Sequence, residues 1–148
     1  MQSHEIDEFT TKQGNVKVLF KIGNIDILGA TCDPITVKDG RGGIFTWVTD
    51  HPILEFNLNI IMPNHVRGNH SHPEFFEYFL VVDGSLFLTT YDPNIKSNLN
   101  MLLSSGMCMR TPPGTSHAVH AITKSTCVAM LTKPWDDCAN PIVKEEIY

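Results

Sequence analysis

The sequence has few charged residues and no excess of positive charge. Only 18% of its 148 residues are Asp, Glu, Lys or Arg, and the formal net charge is −5. Proteins that bind nucleic acid or an anionic membrane surface through charge need a basic surface. We therefore expect neither nucleic acid nor a membrane among the partners of this protein.

Long apolar runs are missing as well. No stretch approaches the ~20 apolar residues of a membrane-spanning helix. The segment from Met1 to Glu8 has neither the basic start nor the apolar run of a secretory signal. We therefore predict a cytoplasmic protein.

Paired cysteine motifs are also absent. The four cysteines, Cys32, Cys108, Cys127 and Cys138, show no C-x-x-C spacing that would indicate a redox or zinc site. Cys108 and Cys127 lie in apolar, strand-like runs, and we expect both to be buried and reduced.

What the sequence does contain is one short strand-like segment after another, without helical periods between them. The segments are rich in β-branched and aromatic residues and are separated by Gly, Pro, Asn and Asp. Strands are predicted at Val16–Ile22, Ile25–Leu28, Ile44–Val48, Glu55–Met62, Glu77–Val82, Ser85–Tyr91, Asn100–Leu103, Met107–Arg110, His117–Ile122 and Thr126–Thr132. This pattern favours a single all-β domain, a barrel or a sandwich, over residues 1–148.

Two local features refine this prediction. Asp83-Gly84, between two apolar runs, is the sharpest hairpin signal in the chain. The tail that follows Pro134 is predicted to hold a short helix.

Four potential metal ligands stand in the middle of the chain. His70 and His72 are alternate residues, so in a strand they project to the same face, about 7 Å apart by strand rise. Glu77 would face away in one continuous strand, but Pro73 makes continuity improbable. A bend after Pro73 and an antiparallel return would bring Glu77 back, with Phe79 and Val81 also inward.

A fourth ligand follows a rigid turn. His117 comes after the segment from Thr111 to Ser116, in which two prolines and Gly114 favour a tight turn. Three imidazoles and one carboxylate form a site suited to a first-row divalent metal, such as Zn, Fe, Mn or Ni.

These residues also carry a family resemblance. His70, His72, Glu77 and Gly84 resemble the first cupin motif, G-x5-H-x-H-x3,4-E-x6-G, over residues 64–84. The segment 106–121, with Gly106, Pro112, Gly114 and His117, resembles the second, G-x5-P-x-G-x2-H-x3-N. The sequence departs from the motifs at two positions, which are Asn64 for the first Gly and Ala121 for the closing Asn. The resemblance implies a double-stranded β-helix, or jelly-roll barrel, and the metal ligands His70, His72, Glu77 and His117.

A finer resemblance suggests the chemistry. Arg67-Gly68-Asn69-His70-Ser71-His72 and the segment from Glu77 to Gly84 are similar to the C-terminal cupin domain of capsular-polysaccharide enzymes, which use a metal to modify a keto sugar nucleotide. They are also similar to nucleotide-sugar 3,4-ketoisomerases, which work through histidines without a metal and usually have Gln where Glu77 stands. The resemblance implies an isomerase or epimerase of a nucleotide sugar in polysaccharide biosynthesis. An iron-dependent dioxygenase and a non-catalytic sugar-binding protein remain alternatives.

Isomerisation next to a ketone needs a proton-transferring group and a site for the nucleotide. By residue type, the candidates for the base are Tyr78, Tyr91, His65 and His120. Strand parity turns Tyr78 away from Glu77 and turns His120 away from His117, so packing or a surface position is the competing interpretation for both. The candidate substrate contacts are Arg67, which suits a phosphate, and Arg110; His4 and His51 look like ordinary loop residues.

The run from Tyr78 to Val82 is apolar on both faces of its strand. One face can line the core, but the other must also be covered. We therefore hypothesise a homodimer.

Overall fold

The computed structural model describes residues 7–11, 14–30 and 37–148, so His4 and Cys32 lie outside the described residues. Its regular structure is almost entirely strand, which confirms the predicted all-β class. In chain order the strands are β1 (Asp7–Thr11), β2 (Gly14–Ile22), β3 (Ile25–Leu28), β4 (Val37–Asp39), β5 (Gly42–Ile44), β6 (Glu55–Ile61), β7 (Val66–Ser71), β8 (Glu77–Asp83), β9 (Ser85–Asp92), β10 (Ser97–Ser104), β11 (Cys108–Thr111), β12 (His117–Ala121), β13 (Ser125–Leu131) and β14 (Val143–Lys144).

The strands form two large antiparallel sheets and a small two-stranded one. The larger sheet has the order β1-β2-β3-β11-β8-β13-β6, the second has the order β10-β9-β12-β7-β14, and β4 pairs with β5. From β6 to β9 the chain changes sheet at every connection, and it does so again from β10 to β14. This alternation confirms the predicted jelly roll, although no strand pairing closes it into a barrel within the described residues.

The apolar faces of the two sheets pack against each other. Phe79 and Val81 on β8 point into this core, where they join Leu86 and Leu88 of β9 and Val119 of β12. Burying such side chains contributes about 1.5–3 kcal/mol each to stability, so this layer is the main source of folding energy. The inward direction of Phe79 and Val81 agrees with the sequence prediction.

The hairpin predicted at Asp83-Gly84 is wrong. Strand β8 ends at Asp83 and β9 begins at Ser85, but the two strands lie in different sheets. Gly84 has φ +104°, and a Cβ there would lie 2.4 Å from Ser125 Oγ and 2.7 Å from the Lys124 carbonyl oxygen. The glycine therefore lets the chain turn from one sheet to the other while it presses against β13.

The strand predicted at Ile44–Val48 is also wrong, since β5 ends at Ile44. The following segment instead covers the outer face of the larger sheet, where Trp47 and Ile53 pack on Tyr78. The predicted C-terminal helix is a single 3₁₀ turn, Trp135–Asp137. Among the residues that the structure describes, no helix is long and apolar enough to span a membrane.

Two sequence predictions about burial can be compared with this fold. Cys108 and Cys127 are 1% and 0% exposed and unpaired, as expected. Burial raises the pKa of the Cys127 thiol to about 11, which keeps it protonated and unreactive. On the outer face of the run from Tyr78 to Val82, Tyr78 belongs to a buried cluster against which Leu80, Trp47 and Ile53 pack, whereas Val82 is 52% exposed.

Candidate metal centre

Three histidines meet at one end of the space between the sheets. His70 on β7 and His117 on β12 are cross-strand partners, and His72 follows directly after β7. The ring centroids are 4.5 Å apart for His70 and His72, 5.1 Å for His70 and His117, and 5.3 Å for His72 and His117. One nitrogen from each ring lies within 4.8 Å of the others, which is close enough for one ion to be shared.

A β-bulge beside these histidines decides which way their neighbours point. The pairing shifts between His117, opposite His70, and Ala118, opposite Gly68, so Asn69 is an extra residue on β7. Gly68 and Asn69 have φ values of +93° and +57°. A Cβ on Gly68 would lie 2.6 Å from the His117 carbonyl oxygen, so this close approach requires glycine.

The bulge reverses strand parity and turns Arg67 inward. Without it, Arg67, three residues before His70, would face the opposite side of the sheet. With the extra residue, Arg67 pairs with the core residue Val119 and lines the same cavity as His70. Arg67 nevertheless stays exposed, so its side chain is accessible to solvent at the cavity wall.

Glu77 reaches the histidines from the facing sheet. It is the first residue of β8, and its Oε2 and Oε1 atoms lie 3.3 Å from His72 Nε2 and 3.4 Å from His117 Nε2. The bend after Pro73 thus brings Glu77 back, but across to the other sheet rather than to a neighbouring strand. All four predicted ligands come together.

The backbone fixes the orientation of two of the imidazoles. His72 Nδ1 lies 2.9 Å from the Pro141 carbonyl oxygen, and His117 Nδ1 lies 3.0 Å from that of Thr115. A carbonyl can only accept a hydrogen bond, so both Nδ1 atoms carry the proton and both Nε2 atoms point at Glu77. His72 Nε2 is buried and has no hydrogen-bond partner among the described residues.

Neutral imidazoles in this orientation aim lone pairs at carboxylate oxygens. Such an arrangement needs a positive charge between them, which is either a proton on Nε2 or a metal ion. Burial raises the pKa of Glu77, but once His117 or His72 also carries a proton on Nε2, its hydrogen bond and charge hold the pKa of Glu77 well below its usual range overall. Burial lowers the pKa of His117, but the carboxylate of Glu77 raises it overall.

The pKa of His70 is shifted in the opposite direction from that of His117. Burial, with His117 and His72 beside it, lowers the pKa of His70 to about 4. It is therefore neutral at pH 7 and keeps a lone pair for a metal or a proton. Three imidazole nitrogens and a carboxylate, with a buried nitrogen that lacks a partner, fit a divalent transition metal.

A cavity of about 220 Å³ opens from this cluster. Its polar wall is formed by Asn57 and Asn59 of β6 together with Arg67, and Asn59 Nδ2 donates to Asn57 Oδ1 at 2.7 Å. The remaining wall is mostly apolar, with Phe79, Met109, Val119, Ala129, Leu131 and Trp135. The cavity combines the cluster of three histidines and a carboxylate with a guanidinium and with amides that can form hydrogen bonds.

The predicted residues Tyr78 and Arg110 lie on the opposite face of the larger sheet. They are cross-strand partners on β8 and β11 and both contact Asp50: the Tyr78 hydroxyl donates to Asp50 Oδ1, and Arg110 Nη1 lies 2.7 Å from Asp50 Oδ2. Arg110 Nη2 also lies 2.6 Å from Asp26 Oδ2, and Tyr78 lies 3.3 Å from His51 Nδ1. The structure therefore does not bring Tyr78 or Arg110 to the cavity.

The other candidate bases also lie elsewhere. His120 faces away from the cavity, and its Nδ1 lies 2.7 Å from the hydroxyl of Tyr148. His65 is exposed, and its Nδ1 lies 3.0 Å from the Pro63 carbonyl oxygen. Tyr91 is 39% exposed and is not part of the cavity lining. The described cavity lining contains no tyrosine, and its titratable residues are Arg67 and the four predicted ligands.

The cavity also contains Asn57, Asn59 and Trp135, which were not predicted from the sequence as site residues. Asn57 and Asn59 alternate with apolar residues on β6, and this alternation could have indicated that they share a face. Trp135 has its ring centroid 6.2 Å from that of His72, but it lies 63 positions away in the sequence, and no local pattern indicates the contact.

Solved structures of sugar-nucleotide enzymes have the same fold. A dTDP-4-dehydrorhamnose 3,5-epimerase from Bacillus anthracis is 15% identical, with a TM-score of 0.70 over 87% of this chain and 83% of that one. A 3,4-ketoisomerase from Helicobacter canadensis is 13% identical, with a TM-score of 0.70 over 84% and 92%. A variant 3,4-ketoisomerase from Thermoanaerobacterium thermosaccharolyticum, in complex with TDP-4-keto-6-deoxyglucose, is 11% identical, with a TM-score of 0.70 over 84% and 90%.

At the level of sequence, no curated protein matches the chain significantly. Residues 57–132, half of the chain, match the family model of the cupin domain. The match extends from β6 to the residue after β13 and includes all four predicted ligands and Arg67. Together with the jelly roll and the two motifs, it establishes that this chain belongs to the cupin family.

Proposed function

We propose that this protein is a metal-binding cupin that isomerises or epimerises a keto sugar nucleotide. The observation that carries the proposal is one cavity in which His70, His72, Glu77 and His117 meet beside the inward-facing Arg67. The similarity in fold to two kinds of keto-sugar enzyme supports it. We propose this substrate class because Arg67 could bind the phosphates of a nucleotide, while a metal on the four candidate ligands could polarise the ketone of the sugar.

Each end of the cavity suits one part of such a substrate. The guanidinium of Arg67 can bind a phosphate with two parallel hydrogen bonds. Asn57 and Asn59 offer amide donors and acceptors for sugar hydroxyls. Phe79 and Leu131 form an apolar wall, which limits the access of water to the reacting carbon.

The metal would be held by His70, His72, Glu77 and His117, with a net charge near +1 for a divalent ion. Bound there, it would supply a Lewis acid that polarises the ketone oxygen and stabilises an enediolate. The chain itself orients two of the ligands through the carbonyls of Thr115 and Pro141.

A competing mechanism uses the same residues without a metal. His72 and His117 lie within 3.4 Å of the Glu77 carboxylate, so a proton on either Nε2 would make a charge-assisted hydrogen bond. His70, which is neutral at pH 7, would then accept the proton from the carbon next to the ketone. In the metal-bound form His70 is a ligand, so the two mechanisms assign it different roles.

The test is hydrogen exchange next to the ketone. The protein, loaded in turn with Zn²⁺, Mn²⁺, Ni²⁺ or Fe²⁺ or kept metal-free, is incubated in D₂O with a panel of 4-keto nucleotide sugars. We expect deuterium incorporation next to the ketone and a new isomer by NMR, both lost in Glu77→Gln. Binding of the sugars without exchange would instead support a binding protein, and oxygen consumption with iron alone would support a dioxygenase.

We also propose that the protein acts as a homodimer that pairs through β6. This strand is at the end of the larger sheet, and its outward residues form an apolar stripe. The stripe consists of Phe56, Leu58 and Ile60 of β6 and of Leu54 and Met62, which flank the strand, and all five are 51–74% exposed. An edge strand with no charge or proline between Phe56 and Ile61 is a site where a second sheet pairs or packs readily.

A further inference from the structure

The C-terminal segment 141–148 lies along β7, the strand that leads to His72. Within it, β14 pairs antiparallel with β7. The bulged residue Asn69 provides two more anchors. Its carbonyl oxygen accepts from the backbone N–H of Glu145 at 2.8 Å, and its Oδ1 accepts from those of Ile147 and Tyr148 at 3.1 and 3.0 Å.

Glu145 in this segment joins the two strands that carry the histidines. Its carboxylate accepts from the hydroxyl of Ser71 at 3.2 Å and also from that of Ser116. Ser71 stands between His70 and His72, and Ser116 directly precedes His117. Both serines are at most 5% exposed, whereas Glu145 itself is exposed, so a surface carboxylate links the buried neighbours of three predicted ligands.

The same segment supplies the carbonyl that orients His72. The Pro141 carbonyl accepts from Nδ1 and leaves the Nε2 lone pair directed at the cluster. His117 has an equivalent hydrogen bond, but its acceptor is Thr115, only two residues away in the same turn. The orientation of His117 is thus local, whereas that of His72 depends on a segment 69 residues further along the chain.

We infer that segment 141–148 is a positioning element of the metal centre: it holds His72 in the Nδ1–H tautomer that presents Nε2, and Glu145 fixes His72 relative to His117. This inference rests on the proposed metal-binding function. Outer partners of metal ligands set the tautomer and direction of the ring, and their loss typically lowers metal affinity by about 10–100-fold.

The test uses the full-length protein and a double variant, Asn69→Gly with Glu145→Ala. Glycine tolerates the φ of +57° at position 69, so this change removes the Oδ1 acceptor without adding strain. Glu146→Ala is the matched control, because it removes the same charge from the adjacent position. Ring-nitrogen NMR of the metal-free proteins reports the tautomer of each histidine, and calorimetric titration with Zn²⁺ reports affinity.

In the wild type and in the control we expect His72 and His117 to carry their protons on Nδ1. In the double variant we expect His72 to lose this preference while His117 keeps it, and Zn²⁺ affinity to fall by about 10–100-fold. Unchanged His72 signals and affinity in a folded double variant would overturn the inference, as would a wild-type His72 protonated on Nε2. If the wild type binds no metal but His72 responds as described, the metal-binding function fails and the positioning role stands.

Discussion

Nε2 of His117 lies 3.4 Å from Oε1 of Glu77, although the two residues belong to strands of different sheets. The nitrogen is oriented by the Thr115 carbonyl at Nδ1. The contact therefore places a nitrogen lone pair opposite a carboxylate, one from each sheet of the jelly roll. A positive charge, either a proton or a metal ion, is needed between them. This relationship makes Glu77 the best residue with which to distinguish a ligand from a structural carboxylate.

We expect Glu77→Gln to weaken divalent-metal binding by more than about tenfold, since it removes the negative charge from the ligand set. The melting temperature of the metal-free variant should change little, because Gln keeps the shape of the side chain and its amide oxygen can still accept a hydrogen bond from a protonated Nε2. Metal titration and thermal melts of the metal-free protein measure the two effects. Unchanged affinity with a lowered melting point would instead identify Glu77 as structural.

The two candidate arginines should behave differently when each is replaced by Gln. Arg67→Gln should raise KM for a nucleotide sugar by about tenfold or more while the melting temperature stays the same, because a charge-assisted phosphate contact is lost. Arg110→Gln should lower stability by about 3–5 kcal/mol, because Asp26 and Asp50 would lose the buried cation between them. Steady-state kinetics and denaturant unfolding of both variants check this. A stability loss in Arg67→Gln together with a raised KM in a stable Arg110→Gln would contradict the placement of the two side chains.

Gly84→Ala should destabilise the fold by about 2–4 kcal/mol, because the added Cβ meets the backbone of Lys124 and Ser125 at a φ of +104°. Gly106→Ala is the control, since its φ is +89° but no heavy atom lies within 4 Å of the added Cβ. Conformational strain alone should cost about 1 kcal/mol there. If urea unfolding shows that Gly84→Ala and Gly106→Ala lose the same free energy of unfolding, the turn at Gly84 is not closely packed against β13.

The apolar stripe on β6 should carry the dimer contact. Phe56→Asp is expected to convert a dimer to a monomer in light scattering at micromolar concentration, because it places a charge in the centre of the stripe. Ile95→Asp, a similar change at a residue that is 58% exposed in the turn between β9 and β10, should leave the mass unchanged. A wild-type monomer would refute the dimer.

The spacing of residues was sufficient to predict that the four candidate ligands come together, since His70 and His72 alternate along the chain and the bend at Pro73 is local. The residues of the turn at Asp83-Gly84 were not sufficient to predict how the strands on either side of it are connected. Asp83-Gly84 marks a sharp turn correctly, but whether the flanking strands pair or enter facing sheets depends on contacts with Ser125, 41 residues beyond Gly84. A local signal cannot contain this information.

Strand parity had mixed success for the same reason. It correctly turned Tyr78 away from Glu77, but it gave no direction for Arg67, which depends on the bulge at Asn69. On β6 the alternation is visible, yet the polar residues Asn57 and Asn59 face the cavity and the apolar ones face outward, which inverts the usual rule. Polar residues can face inward where a strand lines a polar cavity, and apolar residues can face outward where a partner covers them. The sequence alone does not show which face of such a strand is which.

Whether the four predicted ligands hold a metal is decided by the metal content of the purified protein, before and after reconstitution, in wild type and in His72→Ala. We expect one divalent transition metal per wild-type chain by elemental analysis and a strongly reduced content in a folded His72→Ala. A wild-type protein without stoichiometric metal, even after reconstitution with Zn²⁺, Fe²⁺, Mn²⁺ and Ni²⁺, would contradict this expectation and would favour the mechanism that uses only the histidines.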